Sequence, residues 1–388
     1  MKSQPASETA VQPNPLARAG GCIMTLPKRY YTEPNILERE KEEIFHKSWQ
    51  YAGHACQLPD VGSYFTLDYL DDSLLFVRDA DRKIRGFYNV CQHRAHQLVK
   101  GHGCKKVLTC PYHAWSYGLD GRLRSARGTD RGQGFDTVNY GLEPVRVEML
   151  NDIVMFNLDP AAPSFESLIP GVAAEMRREI PRLGEFVSDK LPDGFGGSIL
   201  NSNWKVLSDN CIECYHCVPS HPAFVDLVDM KTYRIELRQM HAKHVAKIRR
   251  ADSKKAYSVT PTEGYEDFFV WHIWPNITII KFPGPTGFGV FAIDPLSVSQ
   301  CRSRGHYFRL PGPDTAEEAA RREYVAKVLW PEDEEICESV QQGLRSRGYR
   351  QGPIVAPDAC DGGSEATVGL FQRLTLEALG EIPVSPGS

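Results

Sequence analysis

The feature that most constrains this chain is a repeated pairing of one cysteine with one histidine. Cys91-Gln92-His93 is followed by sixteen residues and then by Cys110-Pro111-Tyr112-His113. Each half offers one thiolate and one imidazole within two or three residues, inside a segment of short β-rich runs. Four unrelated residues in a sheet are the alternative, but a recurrence of this kind favours two loops that meet at one metal site.

Each half contains both a cysteine and a histidine, and this combination indicates the type of metal site. Zinc sites with two Cys and two His usually pair Cys with Cys and His with His along the chain. A two-iron centre can take two Cys on one iron and two His on the other, and this spacing resembles the Rieske [2Fe–2S] centre. We therefore predict that Cys91, His93, Cys110 and His113 hold a [2Fe–2S] cluster.

A second constellation lies near residue 210. Apolar residues at spacings of three and four predict a helix from Asn203 to Cys217. On such a helix Glu213 and His216 share a face, and His221 follows five residues after His216, just beyond Pro219. Two histidines so placed can supply two ligands of a 2-His-1-carboxylate iron site, which keeps open positions for O₂.

The third ligand of such a site should be a carboxylate far away in sequence. Asp333 lies on an apolar stripe with Cys337, Val340 and Leu344, which predicts that its side chain faces the interior. The alternative is that Asp333 only complements the helix dipole in the first turn, together with its acidic neighbours. If Asp333 is not the ligand, the candidates are Glu332, Glu334 and Glu335.

The chain divides into four stretches by texture. Residues 1–25 predict a flexible extension without the apolar core of a secretory signal, which favours a cytoplasmic protein. Residues 26–49 predict a helical segment, with its helix over Asn35–Trp49, that packs on the catalytic domain. Residues 50–160 predict an all-β domain that carries the cluster motif, with a hairpin at Asp120-Gly121. Residues 161–388 mix helices and strands, so the fold class is α+β.

Composition excludes several classes of function. Of 388 residues 41% are hydrophobic, the net charge is −4, and no basic stripe could neutralise several phosphates, so nucleic acid is not an expected partner. No apolar run reaches the roughly 18 residues of a membrane span. Eleven cysteines, an odd number, favour metal chemistry over a disulfide framework, and we find no role for Cys22, Cys104 or Cys360.

Both constellations, in this order, resemble the α subunits of Rieske non-haem iron oxygenases. The family's cluster motif falls on Cys91, His93, Cys110 and His113, and its iron motif on His216, His221 and Asp333. The resemblance implies a Rieske domain, a helix-grip catalytic domain with an antiparallel sheet and helices, and a homotrimer. It also implies that the cluster of one subunit reduces the Fe(II) site of the next, with Glu213 linking a cluster histidine, His113, to His216.

Three positions depart from the common family pattern. Gln92 and Ala95 stand where the family usually has Pro and Gly, and Glu213 stands where it usually has Asp. Glu213 within Glu-Cys-Tyr-His-Cys, and the later Gly-Leu-x-Ser-Arg-Gly-Tyr-Arg, resemble the branch that oxidises quaternary ammonium compounds such as carnitine, glycine betaine, choline and stachydrine. The expected reaction is insertion of one oxygen atom from O₂ into a C–H bond, leading to C–N cleavage or demethylation.

The electrons should come from NAD(P)H through a separate flavin and iron–sulfur reductase, because the chain has no Gly-rich nucleotide fingerprint. One or two aromatic residues should form a cage for the quaternary ammonium group. The candidates lie on the predicted cavity strands: Tyr265, Phe268, Phe269, Trp271, Trp274, Phe282 and Phe291. The alternatives are an aromatic-acid hydroxylase or O-demethylase of the same family, and a Rieske electron-transfer protein without oxygenase activity.

Overall fold

The computed structural model describes residues 23–129, 134–189, 197–260, 267–284, 287–357 and 360–384. The predicted extension therefore lies largely outside the described residues, as do Cys22 and the cage candidate Tyr265. The described α-helices are α1 Arg29–Thr32, α2 Pro34–Glu40, α3 Phe165–Leu168, α4 Val172–Glu179, α5 Trp204–Cys211, α6 Cys217–Ser220, α7 Pro222–Leu227, α8 Ala316–Tyr324, α9 Trp330–Leu344 and α10 Ala366–Ala378.

The first half of the chain is built from short antiparallel strands. They are β1 Gln50–His54, β2 Ser63–Tyr69, β3 Asp72–Arg78, β4 Ile84–Tyr88, β5 His102–Cys104, β6 Leu108–Thr109, β7 Ser116–Tyr117, β8 Leu123–Ser125, β9 Pro144–Leu150 and β10 Ile153–Asn157. Seven of them form a sheet in the order β1-β10-β9-β4-β3-β2-β5, and β6-β7-β8 form a small second sheet. Gly121, with φ of 83°, lies in the tight turn between β7 and β8, where the Asp-Gly pair predicted a hairpin.

The second half is dominated by one antiparallel sheet. Its strands are β11 Val187–Ser188, β12 Ile199–Leu200, β13 Arg234–Leu237, β14 His241–Ala246, β15 Phe268–Ile273, β16 Ile277–Lys281, β17 Phe288–Ser297 and β18 Gln300–Arg309. They run in the order β11-β18-β17-β16-β15-β14-β13, with β12 also paired to β18. Pro275 lies in the short connection between β15 and β16.

The two faces of this sheet serve different purposes because side chains alternate along a strand. Phe269, Trp271 and Ile273 of β15 pack with Met176 of α4 and Tyr51 of β1, in a core that joins the two halves of the chain. Phe268, Val270 and His272 point the other way and line a cavity beneath α5, α7 and α9.

The helix predicted over Asn203–Cys217 is shorter than expected. Asn203 caps its start by accepting from the backbone N–H of Lys205, but α5 ends at Cys211. The carboxylate of Glu213 accepts hydrogen bonds from the backbone N–H groups of Tyr215 and His216, so the chain turns instead of continuing the helix. Glu213 and His216 therefore meet through this turn and not across a helix face.

The chain forms one continuous helical rod from Ala316 to Leu344, although Pro331 lies within it. A π-helical turn over Val325–Leu329 joins α8 to α9. Pro331 has no N–H to donate and its ring crowds the carbonyl four residues earlier, so a wider turn just before it lets the rod continue. The helix predicted over Asn35–Trp49 likewise passes into a π-helical turn and ends at Phe45.

The segment before β1 is tied to α5 by buried polar contacts. Glu40 is fully buried and its carboxylate accepts from Lys205 Nζ at 2.6 and 2.8 Å and from Trp204 Nε1 at 2.8 Å. A buried charge is costly unless it is paired and hydrogen-bonded, and both conditions are met here. Within the described residues, no helix is both long and apolar enough to cross a membrane.

Candidate metal centres and substrate cavity

Three side chains from two distant segments meet at one end of the cavity. His216 Nε2 and His221 Nε2 lie 3.1 Å apart, and Asp333 Oδ1 lies 3.1 Å from His221 Nε2 and 3.5 Å from His216 Nε2. Three ligands at right angles around a metal, each about 2.1 Å from it, would be about 3 Å from one another. The donor set of two imidazoles and one carboxylate is the facial arrangement of non-haem Fe(II) enzymes, so these residues could hold that ion.

Each of the two histidines has a further carboxylate at its other ring nitrogen, Nδ1. Glu213 Oε1 lies 2.5 Å from His216 Nδ1, and Glu332 Oε2 lies 2.7 Å from His221 Nδ1. An Nδ1–H that donates to a carboxylate leaves the Nε2 lone pair free for a metal and fixes the ring plane. Glu332 was predicted only as a substitute ligand, whereas the structure places it against His221.

The electrostatics of this cluster favour a cation. Burial alone would lower the pKa of the His216 imidazole, but Asp333 and Glu213 outweigh burial and raise that pKa to about 10. Burial would raise the pKa of Asp333, yet the two histidines hold it below its usual value. The carboxylates therefore stabilise positive charge at this cluster, and a divalent ion can supply that charge in place of the histidine proton.

The four cluster residues are presented by two loops of the same design. The Cys91 N–H donates to His96 O and the Ala95 N–H donates to Cys91 O, at 2.9 and 3.0 Å. In the second loop, Cys110 N–H donates to Trp115 O at 2.8 Å, and Ala114 N–H donates to Cys110 O at 3.0 Å. Each loop thus places its cysteine inside and its histidine near the surface, and the rings of His93 and His113 lie 4.6 Å apart.

The polar atoms at this site fit an iron–sulfur cluster. His113 Nδ1 is sealed from solvent with no hydrogen-bond partner among the described residues, a state that a metal bond would relieve. The thiols of Cys91 and Cys110 are buried and unbridged. The Tyr117 hydroxyl lies 3.3 Å from Cys91 Sγ and accepts the Gln92 N–H at 3.0 Å, so it can donate to the sulfur.

The departure at Ala95 has a structural consequence. Ala95 has φ of 55° and Ala114 has φ of 60°, so both loops need the left-handed conformation that glycine adopts most easily. Alanine keeps the loop geometry here at a conformational cost. The change from the usual glycine therefore leaves the ligand positions in place.

The cavity between the sheet and the helices has a volume of about 100 Å³ and lies beside the iron-site residues. Its walls are aromatic: Phe224, Tyr233 and Phe282 each lie within about 6 Å of the Phe268 ring, at 5.1, 6.3 and 5.8 Å between ring centres. Phe291 and Trp330, 6.1 Å apart, close it nearer to Asp333.

The aromatic residues that the sequence offered for an ammonium cage do not all face the cavity. Phe268, Phe282 and Phe291 line the cavity, whereas Phe269 and Trp271 point to the opposite face of the sheet and Trp274 lies outside the lining. Phe224, Tyr233 and Trp330 were missed, because they come from segments with no strand pattern. Their proximity to the iron site depends on the fold, so no local signal could have found them.

The structure joins Cys214 and Cys217 by a disulfide bond, with their Cα atoms 4.9 Å apart. The sequence analysis expected metal chemistry and no disulfide framework, so this pair corrects that expectation. The turn that begins at Glu213 brings the two cysteines together on either side of His216.

The chain matches two family models. Residues 48–143 match the Rieske [2Fe-2S] domain, and residues 176–381 match the ring hydroxylating alpha subunit (catalytic domain). The chain belongs to the α subunits of the Rieske non-haem iron oxygenases, which confirms the predicted α+β fold class. It is a Rieske non-haem iron monooxygenase with a [2Fe–2S] cluster and a mononuclear iron, so the alternative of a pure electron-transfer protein is set aside.

Two relatives and one solved structure have names that refer to quaternary ammonium compounds. The carnitine monooxygenase oxygenase subunit of Escherichia coli strain K12 is 36% identical over 356 residues, which cover 91% of this chain and 93% of the relative. The chloroplastic choline monooxygenase of Amaranthus tricolor is 31% identical over 349 residues, covering 86% and 74%. A solved quaternary ammonium Rieske monooxygenase superposes with a TM-score of 0.85 at 32% identity, covering 92% of this chain and 96% of that one.

Proposed function

We propose that this protein is the terminal oxygenase component that inserts one oxygen atom from O₂ into a C–H bond of a quaternary ammonium compound, close to the nitrogen. The observation that carries the proposal is an aromatic cavity that ends at the His216, His221 and Asp333 cluster. The names of the relatives support the same substrate class.

The charges around the cavity support a cationic substrate. Among the described residues the lining contains the carboxylates of Glu213 and Asp333 but no lysine or arginine. A quaternary ammonium group cannot donate ordinary hydrogen bonds, so it is recognised by aromatic faces, at about 0.5–2 kcal/mol each.

In this proposal His216, His221 and Asp333 hold the mononuclear iron, and Cys91, His93, Cys110 and His113 hold the cluster. The iron supplies the activation of O₂ that organic side chains cannot provide. Glu213 and Glu332 keep the two imidazoles oriented, and the aromatic walls exclude bulk water and position the substrate.

The reaction balances with two electrons and two protons. The substrate C–H and O₂ give a C–OH group and water, and NAD(P)H supplies the electrons through a separate reductase. If the hydroxylated carbon is bonded to the quaternary nitrogen, it then carries both oxygen and ammonium. Loss of the hydroxyl proton forms a carbonyl while the tertiary amine departs with the C–N bond electrons.

We also propose that electrons cross between subunits of a homotrimer. No hydrogen bond joins the cluster loops to Glu213 within the described part of the chain. His93 and Tyr112 are exposed at the cluster end, and Glu213 also borders a second cleft with Asp209 and Glu365. A cluster histidine of a neighbouring subunit, in the position of His113, can donate to Glu213 from that side.

The test is a substrate panel with the purified holoprotein, a surrogate reductase and NADH. Carnitine, choline and glycine betaine are compared with benzoate and methoxybenzoate, and O₂ uptake is matched to product formed. We expect uptake coupled to product with the quaternary ammonium compounds only. Coupled oxidation of the aromatic acids alone would establish the alternative activity, and Asp333→Ala serves as the background control.

A further inference from the structure

One polar residue of the sheet faces the cavity from the side opposite the helices. His272 on β15 pairs in register with Thr278 on β16, and both side chains line the cavity. His272 Nδ1 lies 3.1 Å from Thr278 Oγ1. The ring also packs edge-on against His244, with 4.7 Å between ring centres, so its orientation is fixed from two sides.

The other ring nitrogen of His272 faces the cavity. Nε2 has no hydrogen-bond partner among the described residues, and it is not among the polar atoms sealed away from a solvent probe. The neighbouring polar group of the wall differs, because the Tyr233 hydroxyl is already bonded to His244 Nδ1 at 2.9 Å. His272 Nε2 is therefore available for a hydrogen bond to whatever occupies the cavity.

The protonation state of the His272 imidazole limits the kind of ligand group that Nε2 can bind. Burial, helped by His244, holds the pKa of His272 well below 6.5, so the imidazole is neutral at pH 7. A neutral imidazole forms one hydrogen bond to a hydroxyl group, either as donor or as acceptor. The described lining adds no lysine or arginine to this wall.

We propose that His272 Nε2 binds the hydroxyl group of a β-hydroxy quaternary ammonium substrate, in which two carbons separate the nitrogen from the oxygen. The inference rests on the proposed function and adds to it a residue that determines specificity. The ammonium group then lies against the aromatic walls, and the hydrogen bond on the sheet side sets which carbon faces the iron site.

Carnitine and γ-butyrobetaine provide the test, because they differ only in this hydroxyl group. Their dissociation constants are measured calorimetrically on the holoprotein, for wild type and for His272→Phe, which keeps a ring against His244. We expect wild type to bind carnitine about tenfold more tightly, the value of roughly one hydrogen bond. In His272→Phe carnitine should weaken about tenfold and γ-butyrobetaine should change less than twofold.

Two further variants distinguish a loss of ligand preference from a general loss of binding. His272→Gln retains a hydrogen-bonding group and should keep part of the preference for carnitine. His241→Phe is the matched control, because this buried histidine pairs with Ile273 on the opposite face of the sheet, away from the cavity. It should leave the ratio of the two dissociation constants unchanged.

The outcomes separate this inference from the proposed function. Equal weakening of both ligands in His272→Phe, or no preference in wild type, would overturn the role of His272 while leaving a quaternary ammonium oxygenase. Binding and turnover of aromatic acids without either ammonium ligand would overturn both. Loss of the carnitine preference with intact γ-butyrobetaine binding, and partial retention in His272→Gln, supports the assignment.

Discussion

The two metal centres of this chain are built in opposite ways. The cluster loops are local structures, each closed by two backbone hydrogen bonds within about six residues, and their four ligand candidates span Cys91 to His113. The iron site joins His221 to Asp333 across 112 residues of sequence and holds its histidines with Glu213 and Glu332. Local backbone therefore determines the first centre, and packing with buried charge determines the second.

The largest expected effects test whether the two centres are independent. Asp333→Ala should lower the iron content from about three to about two atoms per chain and abolish turnover, while the visible spectrum of the cluster stays unchanged. Cys91→Ala should remove that spectrum. Metal analysis and absorbance measure both, and Glu335→Ala, an exposed carboxylate on the same helix, is the control. Retention of iron and activity in Asp333→Ala would show that another residue is the third ligand.

The link between the centres should be the next most sensitive point. Glu213→Gln keeps the side-chain shape but removes the charge that holds His216 Nδ1 at 2.5 Å. Both metals should load, yet product formation should fall about 10–100-fold. Glu213→Asp should recover part of this loss. The test is a rapid-mixing measurement of the rate at which the reduced cluster is re-oxidised in the presence of substrate and O₂. A wild-type rate in Glu213→Gln would show that Glu213 is not part of the electron path.

Glu332→Gln should weaken the iron site without touching the cluster. His221 would lose the carboxylate at 2.7 Å that fixes its ring, so we expect iron to dissociate about 10-fold more readily in competition with a chelator. Glu334→Gln is the matched control, since Glu334 accepts from Trp330 Nε1 and not from a histidine. Equal iron retention in both variants would mean that Glu332 is only a surface carboxylate.

On the cluster side, Tyr117→Phe should change the potential and not the assembly. The hydroxyl 3.3 Å from Cys91 Sγ stabilises negative charge on the sulfur, more so after reduction. Its removal should lower the reduction potential of the cluster, measured by a redox titration monitored by electron paramagnetic resonance. An unchanged potential would show that the hydroxyl serves only the Gln92 N–H.

The smallest effect should come from the loop backbone. Ala95→Gly removes a left-handed strain of about 1 kcal/mol, and the greater flexibility of unfolded glycine returns part of it. We expect the cluster spectrum to be unchanged and the unfolding free energy of the holoprotein to change by less than about 1 kcal/mol. Loss of the cluster in Ala95→Gly would show that the alanine methyl group supports the loop.

The sequence was most informative where structure is local. Strands β2, β3, β4, β9 and β10 follow from short β-rich runs. The spacing from Cys91 to His113 predicted one site because the pairing of one cysteine with one histidine recurs. Helix lengths were less predictable. The side chain of Glu213 competes for backbone N–H groups and ends α5 early, and a π-helical turn carries the rod past Pro331.

By itself the sequence determined the family, the fold class and the paired Cys-His motif of the cluster domain, because these depend on residue types at short spacings. Only the tertiary structure decided that Asp333 meets the two histidines, that Glu332 lies against His221 Nδ1, that Phe269 and Trp271 face away from the cavity, and that His272 lines it. Strand register sets which side of a sheet a residue occupies, and a shift of one residue would reverse it. That register is fixed by contacts among segments far apart in the chain, which no local pattern records.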